Sequence, residues 1–172
     1  LLTERNPRIV EPIEGRIDYD IDGKLIGNWF VENTNGYGGL TNGTGGEYWI
    51  THFAIAPDHY DPTKYIISFG DFGGEALQFT TTTPFDPTLI DSSSGLQKLE
   101  LYRFGYVDAS GVSWNGNSIT KGPKLSVNTA SGSQGCVLIE MTGDRNLQME
   151  SFPNKTCSSI SEFSGDEKIY ER

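Results

Sequence analysis

Short runs of β-branched and aromatic residues recur along the whole chain, each cut from the next by glycine, proline, asparagine or aspartate. They fall at residues 47–56, 64–72, 75–82, 97–107, 134–142, 146–152 and 168–171, with turn signals at Pro57-Asp58, Asp61-Pro62, Gly73-Gly74, Gly143-Asp144 and Pro153-Asn154. Ahead of them, residues 16–21 alternate polar with apolar and residues 24–31 return past Asp22-Gly23, a dipeptide suited to a two-residue hairpin turn. No stretch carries the apolar period of a useful helix. The pattern predicts an all-β domain of roughly nine or ten antiparallel strands with little helix. Because neighbouring strands are joined by short turns, a meander that closes on itself and so leaves no raw edges is the expected architecture: a single closed or nearly closed barrel.

Two segments interrupt the meander. Residues 32–46 are dense in glycine and asparagine and hold no regular pattern, which suits a lid over one end of the barrel. Residues 108–133, rich in Ser, Gly and Asn around Trp114, read as a long excursion. Residues 1–14 mix charge with Pro7 and Pro12 and read as an extended N-terminal arm, leaving 15–172 as the barrel domain.

A chain of 172 residues is long enough to bury a core without metal or disulfide support. Its net charge of −10 argues against nucleic acid and anionic membrane surfaces as partners. No run of eighteen apolar residues could span a bilayer, so a water-soluble protein is expected. The chain opens on Leu1 rather than methionine, which fits a processed start and slightly favours a secreted or periplasmic setting. Cys136 and Cys157 match no zinc or redox spacing, and a disulfide and two separately buried thiols stay open as alternatives. Oligomeric state is not legible.

Three groups of residues bear on chemistry. Asp18, Asp20 and Asp22 ahead of Gly23 match the first half of a calcium loop, a candidate for weak Ca2+ binding. The second half fails, because Trp29 stands where a bidentate glutamate belongs, and an acidic strand face ending in a turn explains the same residues. His52, Asp58, His59 and Asp61 gather both histidines beside two acids, a set suited to zinc or proton transfer. Against this, His52 sits in a strand pattern and His59 in the following turn, about 20 Å further on if the strand stays extended, and Asp58 and Asp61 have simple turn-forming roles. Glu140 and Glu150 are a further carboxylate pair of the sort that acts on glycosidic bonds. No nucleophile motif accompanies any of them. The aromatics Trp29, Trp49, Tyr37 and Tyr48 are candidates to line a ligand cavity, with core packing as the alternative use of each.

Gly27-Asn28-Trp29-Phe30, the stretch from His52 to Pro62 and Ile67-Ser68-Phe69-Gly70 together resemble a pattern in a group of uncharacterised bacterial proteins, and the likeness runs on to the last residues, Glu167 to Arg172. Some of those proteins carry this region behind a domain similar to peptidoglycan-peptidase β-domains, and no peptidase residue can be carried over to this chain. A looser resemblance is to lipocalins, whose first strand carries Gly-x-Trp and whose last strand carries a basic residue that packs on that tryptophan. Gly27, Trp29 and Arg172 are the matching positions. Lipocalins also have a long C-terminal helix, which the Ser-rich residues after Cys157 cannot supply. The resemblance implies a barrel that holds a small apolar or aromatic ligand in its mouth without catalysis. The contrasting expectations are a sugar or cell-wall hydrolase using His52 and nearby carboxylates, and a carbohydrate-recognition domain of a larger secreted protein.

Overall fold

The computed structural model describes residues 8, 11–16, 19–39, 48–116 and 124–172. Eight strands form one antiparallel sheet: β1 (Gly27–Val31), β2 (His52–Pro57), β3 (Tyr65–Phe72), β4 (Glu75–Phe79), β5 (Gln97–Val107), β6 (Ser126–Gly143), β7 (Asn146–Pro153) and β8 (Lys168–Glu171). Strands adjacent in sequence pair with one another except β4 and β5, which end the sheet order, and β1 also pairs with β8, Phe30 lying opposite Glu171. The sheet curls until β4 meets β5 at a single bridge, where Thr80 and Tyr102 exchange main-chain bonds of 3.0 and 2.9 Å. The result is a nearly closed up-and-down barrel. Among the described residues the only helical elements are short 3-10 turns, and no helix is long and apolar enough to cross a membrane.

Strand alternation decides what fills the barrel. On β2, Phe53 and Ile55 point inward and His52 and Ala54 outward; on β1, Trp29 points inward between Asn28 and Phe30. The inward set of Trp29, Phe53, Ile55, Ile67, Phe79, Leu101, Val137, Ile139 and Leu147 is fully buried, so the interior is a packed core of side chains. Burying such side chains contributes about 1.5–3 kcal/mol each, the main driving force for closure.

A second apolar cluster lies outside the barrel wall. Cys136, Leu138 and Phe152 on the outer face of β6 and β7 are covered by Cys157, Ile160 and Phe163 from the β7–β8 connection. Cys136 and Cys157 form a disulfide that staples this cover to β6, which settles the alternatives left open by sequence. The same connection buries Glu150, whose carboxylate accepts hydrogen bonds from the main-chain N–H and the hydroxyl of Ser164.

Among the described residues the strands number eight against the expected nine or ten, and of the first expected hairpin the described residues form one strand, β1. Asp22-Gly23 does turn the chain, with Lys24 N donating to Ile21 O, but residues 19–21 are not a strand and β1 takes β2 and β8 as partners instead. Leu25 and Ile26 are drawn away to the β4–β5 connection, bonding Ile90 O and Pro87 O. β2 starts at His52 instead of residue 47, since Tyr48–Thr51 form a 3-10 turn. Residues 126–133, expected within an excursion, extend β6 and pair with the outer half of β5. Of the expected glycine-rich lid, Gly36–Gly38 form a 3-10 turn and residues 40–47 lie outside the described set. In the N-terminal arm, Arg8 is buried and donates to Pro12 O and to His59 O, which ties that residue to the β2–β3 loop.

Candidate functional site

The outward residues of β1 and β2 carry the arrangement with the most chemical content. Gly27 has φ +121°, and a Cβ there would meet the Asp20 carboxylate and main chain. This close approach lets Asp20 Oδ1 accept from the Asn28 main-chain N–H at 2.6 Å and from Asn28 Nδ2 at 3.2 Å. With its amide nitrogen turned to Asp20, Asn28 presents Oδ1 to His52 Nε2 at 3.0 Å, so Nε2 carries the proton in this pairing. A relay from Asp20 through Asn28 to His52 thus runs across the outside of the barrel. Burial of the imidazole lowers the His52 pKa from its ordinary 6.5, and the nearby Asp20 charge opposes that shift without cancelling it. His52 is therefore neutral near pH 7.

Aromatic side chains surround this histidine. The Phe30 ring lies 5.0 Å from the His52 ring and 4.6 Å edge-on to Tyr37, which is itself 6.1 Å from His52. Tyr37 comes from the 3-10 turn Gly36–Gly38, which adjoins the second turn, Tyr48–Thr51, that carries Trp49 and Ile50. The second turn can lie directly on β3 because residue 70 is glycine: a Cβ there would fall 1.5 Å from Trp49 O. Tyr37, Trp49 and Ile50 keep 63%, 50% and 45% of their surface exposed, an unusual gathering of large apolar side chains at one place outside a filled barrel.

The candidate residues from sequence part company here. His52, Tyr37 and Trp49 belong to this outer patch. Tyr48 begins the second 3-10 turn, and its side chain lies outside the described set. Trp29 faces the other way. It is fully buried, donates from Nε1 to Leu25 O at 2.9 Å, and is covered by the Arg172 guanidinium 3.7 Å from its ring centre. Arg172 in turn donates to the carbonyls of Ile21, Lys24 and Ile26, so this pair plugs the barrel end instead of opening it.

His59, Asp58 and Asp61 lie past the far end of β2 and do not join His52. Asp58 is buried and accepts from the main-chain N–H groups of Tyr60 and Asp61 and from the Tyr106 hydroxyl at 2.6 Å. Asp61 accepts from the Thr63 main-chain N–H and hydroxyl and from Val127 N, which anchors the outer half of β6 to this loop. Both aspartates are thus occupied in holding a turn. The loop's Tyr60 ring packs edge-on against Tyr106 and Trp114.

Of the acidic trio, two members are among the described residues, and each has its own partner. Asp18 lies outside that set, Asp20 serves Asn28, and Asp22 pairs with Arg145 at 3.0 Å. Among the described residues no group of three or more His, Cys, Asp or Glu is placed to hold a metal ion. Glu140 and Glu150 lie opposite Gln148 and Leu138 on neighbouring strands, and each is engaged separately, Glu140 by Gln148 and Glu150 by Ser164.

Sequence reasoning missed Asn28, Phe30 and Ile50. The first two stand in the Gly-Asn-Trp-Phe stretch, where period-two alternation alone separates an inward tryptophan from two outward neighbours. Comparisons with models of protein families, with curated proteins and with solved structures return no match for this chain.

Proposed function

We propose that this domain is a non-catalytic binding module for a small molecule with a flat apolar or aromatic face, held on the outer wall at Tyr37, Trp49 and Ile50 instead of in the barrel mouth. The observation that carries this reading is the exposure of those three side chains beside the Asp20–Asn28–His52 relay. Ring faces supply stacking area at little entropic cost, and the amide and imidazole supply directional hydrogen bonds to a polar edge of the ligand. The filled interior speaks against the mouth as the site. Non-catalytic use is favoured because Nε2 of His52 is turned to an amide, which does not take up or release a proton near neutral pH, and because Asp58 and Asp61 are engaged in a turn. The disulfide suits an oxidising, extracytoplasmic setting. The Trp29–Arg172 stack supports the lipocalin resemblance in geometry.

The test is an affinity series with indole, a neutral aromatic, and a methyl pyranoside on wild type, Trp49→Ala and Tyr37→Ala. Loss of one stacked ring is expected to weaken indole binding about 2- to 12-fold, from ~0.5–1.5 kcal/mol per ring contact. Tighter binding of the pyranoside than of indole would shift the reading to carbohydrate recognition. Equal affinity in all three proteins would refute the site.

A further inference from the structure

A strand at the edge of a sheet presents unused main-chain donors and acceptors. In this barrel, β4 and β5 touch through the Thr80–Tyr102 bridge and no ladder continues from it. The N–H and C=O of one residue point to the same side of a strand and alternate along it. Thr80 bonds Tyr102 through both groups, so the main-chain groups of Gln78 and Ala76 also face β5, while those of Phe79 and Leu77 face β3. Counted from Tyr102, the same alternation turns the main chain of Phe104 toward β4; the extra residues at both register shifts of this pair fall on β6, so β5 keeps its alternation. At Tyr106 the edge is already used, its carbonyl accepting from Trp114 N at 2.8 Å.

The three residues singled out by this count, Ala76, Gln78 and Phe104, all line one groove of about 480 Å³ between the parted strands, together with Ser68, Leu77 and Arg103. Ala76 and Gln78 are exposed. Arg103 is the charged residue of the wall, its guanidinium 5.3 Å from the centre of the Phe79 ring, whereas Glu75 stands at the opposite end of β4. In a chain of net charge −10, this local cation selects for an anionic partner and sets its direction.

We propose that the β4–β5 seam is a docking site for an extended peptide bearing an acidic side chain, which adds as a strand beside β4 and places its carboxylate at Arg103. The peptide bonds Ala76 and Gln78 along one edge and reaches Phe104 on the other. This site is separate from the aromatic patch and does not depend on it.

The probe is an acetylated, amidated peptide Thr-Val-Thr-Glu-Thr-Val-Thr, titrated into the wild-type protein while amide exchange is followed residue by residue. Saturating probe is expected to slow exchange at Ala76, Gln78 and Phe104 at least tenfold. The same peptide N-methylated at alternate amides on its pairing edge is expected to bind at least tenfold more weakly. Arg103→Glu, at an exposed position, is expected to reverse the preference in favour of a peptide with Lys replacing Glu. Absence of slowed exchange at those three amides up to millimolar peptide, protection confined to other strands, or equal binding of the N-methylated peptide would overturn the proposal.

Discussion

Gly70→Ala is the sharpest perturbation of the candidate site, because it acts on the support of the patch and leaves the chemical identity of every patch side chain unchanged. The added methyl would lie 1.5 Å from Trp49 O, 2.6 Å from Trp49 C and 2.9 Å from Ile50 C, all of them main-chain atoms that no rotamer change can move. The 3-10 turn Tyr48–Thr51 must therefore lift from β3. Overpacking of this kind costs about 1–3 kcal/mol. For a domain of this size each kcal/mol lowers Tm by roughly 2–4 °C, so a fall of roughly 2–12 °C is expected. The barrel core does not involve the outer face of residue 70, so the far-ultraviolet strand signal should persist while indole affinity falls with the displaced Trp49. Thermal melts and indole titration on the same preparation read both effects. A Gly70→Ala protein with wild-type Tm and wild-type indole affinity would refute the argument that residue 70 is glycine to seat this turn.

Arg172→Met keeps the aliphatic cover on Trp29 but removes the guanidinium bonds to the carbonyls of Lys24 and Ile26 and one of the two bonds to Ile21 O, and should cost about 2–3 kcal/mol in urea unfolding; a loss under 0.5 kcal/mol would contradict the plug. The disulfide closes a separation of 21 residues, so Cys136→Ser with Cys157→Ser should lose about 3 kcal/mol in the same assay, and thiol titration of the native protein should find no reactive cysteine. Because the His52 pKa is lowered in the folded state, the unfolded chain binds the proton more readily below pH 6.5, and the stability tied to a neutral His52 is present above that value and lost as pH falls toward and through the folded pKa. Wild type should therefore lose Tm on acidification from pH 7 to 5 more steeply than His52→Gln, and a His52 ring that titrates at or above 6.5 by NMR would contradict its burial.

The fold was legible where period-two alternation is strong. Phe53 and Ile55 against His52 and Ala54 mark an inner and an outer face without any knowledge of partners, and short turns between such runs are enough to imply a meander. What failed was pairing that depends on distant chain. The 16–21 run looked like the mate of 24–31 because Asp22-Gly23 favours a turn, yet the turn energy is local and small beside the burial of Leu25 and the bonds of Leu25 and Ile26 to the β4–β5 connection. Residues 126–133 carried too many Ser, Gly and Asn to read as strand, and they are held by the β5 ladder and by Asp61 instead of by their own propensity. In the site, His52 and the exposed aromatics were nameable from sequence. Their companions were not, because the relay needs the Asp20 carboxylate to pass over Gly27, a close approach visible only in three dimensions. His59 was misleading for the opposite reason: nearness in sequence is separation in space when a strand lies between.

The central claim, that ligand meets the outer wall and not the barrel interior, is tested most directly by NMR mapping of indole on uniformly labelled protein. Shift changes are expected to concentrate at Tyr37, Trp49, Ile50 and His52, with the inward residues Ile55, Leu101, Val137 and Met149 unmoved at saturation. Shifts concentrated on those inward residues, with the outer patch silent, would contradict it.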